Sequence, residues 1–288
     1  MVDAHHHFWD PARAEYPWMT EALAPIRRPF GPEDLRPLLT RHGVDRTVLV
    51  QTRSSLEETR EFLAVAAATD FIAGVVGWVD LTDPEVARVL AELRASPGGD
   101  KLVGVRHQVH DEPDPRWLLR ADVRRGLAAV AASGLAYDLL VRTRELAAAL
   151  RTVRDFPAMR FVIDHIAKPP IRSGDARAWA EAMAPFGACG NVFCKLSGMI
   201  TEADWSAWRP DDLVPYVRRA LGWFGAERLM FGSDWPVCLV AGSYGQVLDA
   251  LLYALRGEAD GARAEILGGT AVRCYRLRTP EHPPSGPG

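Results

Sequence analysis

The sequence predicts a single-domain α/β protein of the (β/α)₈, or TIM-barrel, class. Eight short apolar runs rich in β-branched residues alternate with longer helical patterns along the whole chain. Strands that alternate with helices form parallel sheets, and eight such units without a linker favour a closed barrel over an open doubly wound sheet. No G-x-G-x-x-G follows the first run, so the phosphate turn of a dinucleotide-binding fold is missing.

The elements follow one another with recognisable start signals. The predicted strands are MVDAHHH, RTVLVQT, FIAGVVGWV, LVGVRHQV, LAYDLLV, RFVIDHI, VFCKL and RLMFGS. The predicted helices begin near Pro32, Leu56, Pro84, Asp122, Arg144, Ala176, Pro210 and Tyr244. Ser55 and Ser243 each stand three residues before a Glu or Gln, as in a capping box. Asp83 before Pro84 is typical of an N-cap followed by proline at the first helical position.

Composition and charge narrow the class of function. The chain has 288 residues, 48% of them hydrophobic, and a formal net charge of -3, which is typical of a globular protein with a large core. We expect a barrel over residues 1–278 and a flexible tail over residues 279–288, which are rich in proline and glycine. Without a basic stripe, a nucleic-acid partner is not expected, and a small-molecule ligand is the better expectation.

The expected location is the cytoplasm. No apolar run has the length of a membrane span, and the N-terminus lacks the layout of a signal peptide. Cys189, Cys194, Cys238 and Cys274 show no metal-type pairing, so we expect them to be reduced. A homo-oligomer is left open.

The candidate site lies where the predicted strands end, because the C-terminal face of a barrel carries the functional residues. His5 and His7 stand two residues apart in the first strand and therefore point to the same face, while His6 points away. His165 closes the sixth strand. Asp234 follows the buried run LMFGS, where a carboxylate is costly unless a charge or a metal offsets its desolvation.

These four residues support two alternatives. His5, His7, His165 and Asp234 suit one divalent metal such as zinc, with a coordination position left for water. The same residues also suit metal-free catalysis, with Asp234 as general base and the histidines polarising a carbonyl. The residues themselves do not separate the two alternatives.

The order HxH, His and Asp along the barrel resembles that of the amidohydrolase superfamily. Within this superfamily the chain resembles family 2, in particular the sugar-acid lactonases of the L-fucono-lactonase type. The segments that carry this resemblance are HHHFWD, GWVDL, VGVRHQVHDE, VIDHIAKP, VFCKLSGMITEADW and RLMFGSDWPVC. The 2-pyrone-4,6-dicarboxylate lactonases are more distantly similar. The resemblance runs from about Val2 to Leu277 and implies a barrel that hydrolyses a lactone such as L-fucono- or L-rhamnono-lactone. Asp234 would then serve as general base and acid, and His165 would face the carbonyl oxygen.

Two departures from the wider superfamily predict at most one metal. The fourth strand carries no lysine, because Lys101 lies before it at the non-catalytic end. The fifth strand offers Tyr137 and Asp138 where metal-rich relatives often place a histidine. A two-metal centre bridged by a modified lysine is therefore not expected.

Further polar and aromatic residues near the strand ends are candidates for substrate binding. They are Arg53, Trp78, Arg106, His107, Gln108 and Lys195. The structural alternatives are an internal ion pair for Arg106, support of a neighbouring loop for Lys195 and core packing for Trp78. By resemblance, Arg106 is where the pyrone-dicarboxylate enzymes contact a substrate carboxylate, but the adjoining His-Gln resembles the sugar-lactone group. Trp18 and Trp205 fall in loops over the barrel mouth, where they could stack on a sugar or equally pack within a lid. A neutral polyhydroxy lactone is the first expectation, with a metal-independent hydrolase of a carboxylated lactone, a decarboxylase and a non-catalytic binding barrel as alternatives.

Overall fold

Eight parallel strands form a single sheet in which each strand pairs with the next, from β1 to β8. The strands are β1 Val2–His6, β2 Arg46–Val50, β3 Ile72–Gly77, β4 Leu102–His107, β5 Ala136–Leu139, β6 Phe161–Ile163, β7 Val192–Leu196 and β8 Leu229–Phe231. This computed structural model describes residues 1–278, so the predicted tail at 279–288 lies outside the described residues. The predicted (β/α)₈ class is confirmed.

A helix follows every strand, and two more close the described chain. The helices are α1 Pro32–His42, α2 Leu56–Ala68, α3 Val86–Ala95, α4 Ala121–Ala132, α5 Leu146–Asp155, α6 Arg177–Met183, α7 Pro210–Phe224, α8 Tyr244–Ala254, α9 Asp260–Ala264 and α10 Thr270–Tyr275. The start predicted for α3 at Pro84 is wrong by two residues. Asp83 accepts the Glu85 N–H at 2.8 Å in a turn that precedes the helix. The sequence prediction did not include α9 and α10.

The predicted caps of α2 and α8 differ in detail. Ser243 and Gln246 form the predicted capping box. Ser55 accepts the Glu58 N–H at 3.2 Å, as predicted, but the Glu58 carboxylate turns away and accepts the Thr52 N–H at 2.8 Å. This carboxylate therefore fixes the loop after β2 instead of completing the box.

The half of the barrel interior towards the amino ends of the strands, called the lower half here, is filled by apolar side chains. Helix α10 covers this lower half from below. The apolar cluster comprises Val2, Ala4, Val48, Val50, Val76, Val103, Ala136, Val162 and Met230 of the strands with Ala271, Cys274, Tyr275 and Leu277. Outside the sheet, α1 to α8 pack in a second, larger apolar layer. Within residues 1–278, no helix is long and apolar enough to cross a membrane.

The residues after β8 join the last strand to the first. The Asp234 N–H donates to the His5 carbonyl at 2.8 Å, and the His7 N–H donates to the Trp235 carbonyl at 2.7 Å. His6 and Trp235 form an isolated parallel bridge at the same level. The barrel is therefore closed, at its upper mouth, by the segments that carry three of the predicted site residues.

Candidate active site

Three of the four predicted metal-ligating residues bring their side-chain donor atoms together at this seam. His5 Nε2 lies 3.1 Å from His7 Nε2, and the Asp234 Oδ1 oxygen lies 3.4 Å from His7 Nε2 and 3.8 Å from His5 Nε2. In a tetrahedral zinc site with bonds near 2.0–2.1 Å, donor atoms lie about 3.3 Å apart. All three side chains are buried. The separations therefore suit a single divalent ion held by these three donors.

The hydrogen bonds around the two histidines differ. His7 Nδ1 lies 2.8 Å from the Val50 carbonyl, an acceptor, so this nitrogen carries the proton and Nε2 is free. His5 lies between two groups that can only donate, with Arg106 Nη1 3.3 Å from its Nε2 and Lys195 Nζ 3.2 Å from its Nδ1. The free Nε2 of His7 faces His5 Nε2 at 3.1 Å. The donor set thus fits a metal ion.

His165 reaches the site through an unusual turn. The sequence prediction ended the sixth strand at this residue, but β6 ends at Ile163. The next residues, from His165 to Lys168, have φ between 45° and 56°. Non-glycine residues avoid this left-handed conformation at a cost of roughly 1–2 kcal/mol each, so the surrounding packing must hold the turn. The Trp179 Nε1–H helps to do so by donating to the Ile166 carbonyl at 2.7 Å.

Residues after β7 fix the His165 ring. Its Nδ1 lies 2.9 Å from Ser197 Oγ, and a Cβ atom at Gly198 would lie 2.5 Å from the same nitrogen. Gly198, with φ of +60°, is therefore required for the ring to fit. His165 Nε2 lies 3.9 Å from Asp234 Oδ1. Donor atoms of His165, His5 and Asp164 lie within 4.8 Å of one another and form a second cluster beside that of His5, His7 and Asp234.

Burial and neighbouring charges set the protonation of the site. Burial lowers the pKa of His165 to about 4, and burial together with the Lys195 ammonium lowers the pKa of His5 well below its ordinary value. Burial alone would raise the pKa of Asp234, but the facing imidazoles of His165 and His7 outweigh it and hold that pKa below its ordinary value. Near neutral pH the site therefore offers neutral His5 and His165 imidazoles and an ionised Asp234 carboxylate, the forms that bind a metal.

A fully buried network of charges lies beneath the donor atoms. Lys195 Nζ lies 2.6 Å from Asp138 Oδ2 and 3.0 Å from Asp164 Oδ1. Asp164 also accepts from Arg106 at 2.9 Å. The structure places the side chain of Lys195, predicted to bind substrate, inside the barrel, where it is 0% exposed and paired with these two carboxylates. Its nitrogen lies 3.2 Å from His5 Nδ1, so it acts on the site from below.

A small cavity of about 140 Å³ opens above this network. Of the residues singled out in the sequence, the wall contains His7, Trp18, Arg106, Gln108, His165 and Asp234. The sequence reasoning missed Thr52, His110, Asp111, Leu140, Lys168 and Val237. Two of these have a sequence signal that could have marked them as candidates. Lys168 is one of only three lysines in the chain and lies in the segment DHIAKP, and His110 lies in the segment RHQVHDE. No sequence signal marks the other four.

Other predicted substrate-binding residues lie outside this wall. Arg53 lines a separate cavity of about 740 Å³ and contacts Glu58 at 3.4 Å. The Trp78 Nε1–H donates to His107 Nδ1 at 3.0 Å, and the His107 ring stacks on Trp117 at 4.2 Å. The side chains of Trp78 and His107 are therefore engaged with other protein groups. Trp205, the second loop tryptophan, is 39% exposed and likewise does not line the central cavity.

Comparison with known proteins places this architecture in a family. The family model described as amidohydrolase matches residues 2–277. An L-fucono-1,5-lactonase of Burkholderia ambifaria is 44% identical to the chain over 285 residues, which are 97% of this chain and 96% of that protein. An L-fucono-1,5-lactonase of Burkholderia multivorans is 39% identical over 97% of both chains.

A solved structure agrees with these relatives. A crystal structure of an amidohydrolase from Burkholderia multivorans with bound zinc superimposes with a TM-score of 0.91 at 38% identity, and the match covers 96% of this chain and 99% of that chain. Both the sequence match and the structural match run through the complete barrel. On this evidence, the chain belongs to the amidohydrolase family.

Proposed function

We propose that the protein is a hydrolase that opens a sugar-acid lactone of the L-fucono-1,5-lactone or L-rhamnono-lactone kind. The observation that carries the proposal is the donor set of His5, His7 and Asp234 at the base of a small cavity. The full-length likeness to two L-fucono-1,5-lactonases supports the same reaction class, which is hydrolysis of a carboxylic ester within a ring.

We propose that His5, His7 and Asp234 hold one divalent ion, with zinc as the first candidate. The close spacing of the three donor atoms supports this proposal, as does the zinc bound in the 38% identical amidohydrolase. When bound, such an ion polarises a carbonyl and lowers the pKa of water. A second ion is not proposed, because the Lys195 ammonium already supplies positive charge beside Asp164.

In the proposed reaction the water oxygen attacks the lactone carbonyl carbon. The ionised Asp234 carboxylate takes one proton from this water as the bond forms. The developing negative charge lies on the former carbonyl oxygen, which we place towards His165 and the Arg106 guanidinium. The bond between the carbonyl carbon and the ring oxygen then breaks, and Asp234 returns its proton to that oxygen. The product is an open-chain hydroxy acid.

The charges in the cavity favour a neutral lactone over a carboxylated one. Arg106 is paired with Asp164 at 2.9 Å, and Lys168 is paired with Glu202 at 3.1 Å. Both cationic side chains of the described wall are thus already neutralised by protein carboxylates. Asp111 and Asp234 add negative charge to the same wall. A substrate carboxylate would meet this charge without an unpaired cation, so hydrolysis of a pyrone dicarboxylate and decarboxylation are disfavoured.

The reaction is tested by measuring proton release from L-fucono-1,5-lactone, L-rhamnono-lactone and a carboxylated pyrone. We expect the sugar lactones to be opened. The variant Asp234→Asn should lose activity by about 10²–10⁴-fold, because it lacks the proton acceptor, with little change in the melting temperature. Release of carbon dioxide without lactone opening would refute the proposal, as would full activity of Asp234→Asn.

The metal is tested separately by elemental analysis and chelation. We expect about one zinc ion per chain in the unaltered protein and much less in His7→Ala, because one donor is removed. Full activity in protein shown to be metal-free would leave the histidines as direct electrophiles and end the metal proposal.

A further inference from the structure

Two residues on the wall of the central cavity each carry a buried polar atom that has no hydrogen-bond partner within the described chain. The atoms are Trp18 Nε1 and His110 Nδ1. Buried polar groups in folded proteins are nearly always paired, so an unpaired donor or acceptor beside a cavity points to a ligand. The other polar wall residues differ. Gln108, for example, accepts from Gln51 at 3.1 Å and donates to the Thr52 carbonyl at 3.0 Å.

The indole of Trp18 is held in place by its aromatic neighbours in the loop after β1. Its ring packs edge to face against Trp9, with centroids 5.3 Å apart, and against Tyr16, with centroids 6.4 Å apart. An indole N–H can only donate. The packing therefore fixes, on a side chain that lines the cavity, an N–H donor without an acceptor in the described chain.

His110 offers the complementary group from the loop after β4. Its Nε2 lies 3.2 Å from Asp111 Oδ1, so the proton of the neutral ring is on Nε2 and Nδ1 is an acceptor. The main chain at His110 is fixed on both sides. Its N–H donates to the Leu140 carbonyl at 3.1 Å, and its carbonyl accepts from Arg144 Nη2 at 3.1 Å.

We propose that Trp18 and His110 recognise the ring hydroxyl groups of the substrate. Trp18 donates to one hydroxyl oxygen, and His110 accepts the hydrogen of a hydroxyl group. This inference rests on the proposed lactonase function and adds the residues that select among lactones. A hydroxyl group can satisfy both atoms, because it donates and accepts. A ring methylene satisfies neither, and a carboxylate has no hydrogen for His110 and would lie beside the Asp111 carboxylate.

The discrimination should be strongest against a lactone that lacks the ring hydroxyl groups. A site built to hydrogen-bond a hydroxyl discriminates strongly against the analogue without it, because its polar atoms are left unpaired. We therefore expect the unaltered protein to prefer L-fucono-1,5-lactone over δ-valerolactone, an unsubstituted six-membered lactone. The preference should depend on the two wall residues and not on Asp234, which acts on the ester that both lactones share.

The test compares kcat/KM for these two lactones in the unaltered protein and in two variants. Trp18→Phe keeps an aromatic ring and removes the N–H. His110→Phe keeps a planar ring and removes the Nδ1 acceptor. Each variant should lower kcat/KM for L-fucono-1,5-lactone about tenfold, mainly through KM, and leave δ-valerolactone within about twofold. Trp205→Phe is the matched control, because Trp205 lies outside the cavity and bonds to the Thr201 carbonyl.

Binding of L-fucose, measured by calorimetry, keeps this inference distinct from the proposed function. L-fucose presents ring hydroxyl groups but has no ester to hydrolyse. We expect it to bind to the unaltered protein and to bind more weakly to Trp18→Phe and His110→Phe. If neither lactone is opened but this binding pattern is found, the proposed reaction is wrong and the recognition stands. Equal losses for both lactones in the variants, or L-fucose binding unaffected by them, would overturn the recognition.

Discussion

The upper and lower halves of the barrel interior use opposite means of filling the same space. The lower half is packed by apolar side chains such as Val162 and Met230, which gain free energy by leaving water. The upper half buries Lys195, Asp138 and Asp164, whose loss of hydration is offset by ion pairs among them and by hydrogen bonds from buried neighbours. The barrel therefore separates stability, near the amino ends of the strands, from chemistry, near their carboxyl ends.

Two lysines illustrate this difference. Lys101, just before β4, is half-buried at the lower end and donates to main-chain carbonyls, among them that of Ile72 at 2.8 Å. Lys195, in β7, is fully buried at the upper end and is paired with two carboxylates beside His5. The first lysine supplies hydrogen bonds to main-chain carbonyl groups, whereas the second neutralises two buried carboxylates and lies against His5. Variants at both lysines test whether the two halves are independent.

The largest effect is expected for Lys195→Met. Removal of the ammonium leaves the Asp138 and Asp164 carboxylates buried together without a cation, which should lower the free energy of unfolding by about 3–5 kcal/mol. The activity should also fall, because His5 loses its neighbour. Chemical denaturation and lactone hydrolysis measure the two effects. Lys101→Met, the matched control, should cost about 1 kcal/mol and keep kcat/KM. A loss of activity in the control would contradict the separation of the halves.

A smaller effect, confined to stability, is expected for Met230→Ala. Met230 is 0% exposed in the lower apolar cluster, so its truncation leaves a cavity and should cost about 2–5 kcal/mol. Because no ligand residue packs in this cluster, kcat/KM measured well below the melting temperature should change less than about twofold. Denaturation and steady-state kinetics on one preparation measure both quantities. A large kinetic effect would show that packing in the lower half positions the site.

The smallest effect is expected for Tyr275→Phe, at the boundary between the two halves. Tyr275 belongs to α10 below the barrel, yet its hydroxyl donates to Asp138 Oδ2 at 2.6 Å. Loss of this bond to a charged group should cost about 1.5–3 kcal/mol, less than loss of the lysine. Denaturation of Tyr275→Phe alone and combined with Lys195→Met gives the coupling between the two. Purely additive effects would mean that Asp138 does not connect the halves.

The sequence predicted the architecture and the donor set better than the surroundings of the site. Alternating strands and helices, and the HxH spacing, follow from periodicities that a sequence displays directly. The left-handed turn from His165 to Lys168 has no such signal, since none of its residues is glycine. The surroundings of Lys195 could not be predicted for a related reason. Its position in β7 was predicted, but its depth in the barrel depends on side chains from β5 and β6.

The wall residues were missed because loops lack periodicity. His110 and Asp111 lie in a loop whose path is set by contacts with Leu140 and Arg144, far along the chain. The role of Trp18 was predicted as stacking, whereas the structure leaves its N–H free and packs its ring within the protein. Local sequence thus predicts which strands carry polar ends, but tertiary contacts decide which atoms remain available.

The closure of the barrel between β8 and β1 has a consequence for biosynthesis. His5 is synthesised well before Asp234, whose N–H bonds to the His5 carbonyl, because strands β2 to β8 lie between them in sequence. A truncated or nascent chain that ends before β8 therefore lacks one donor and the seam that aligns the other two. The complete donor set exists only in a finished barrel, so a partly synthesised chain cannot assemble it prematurely.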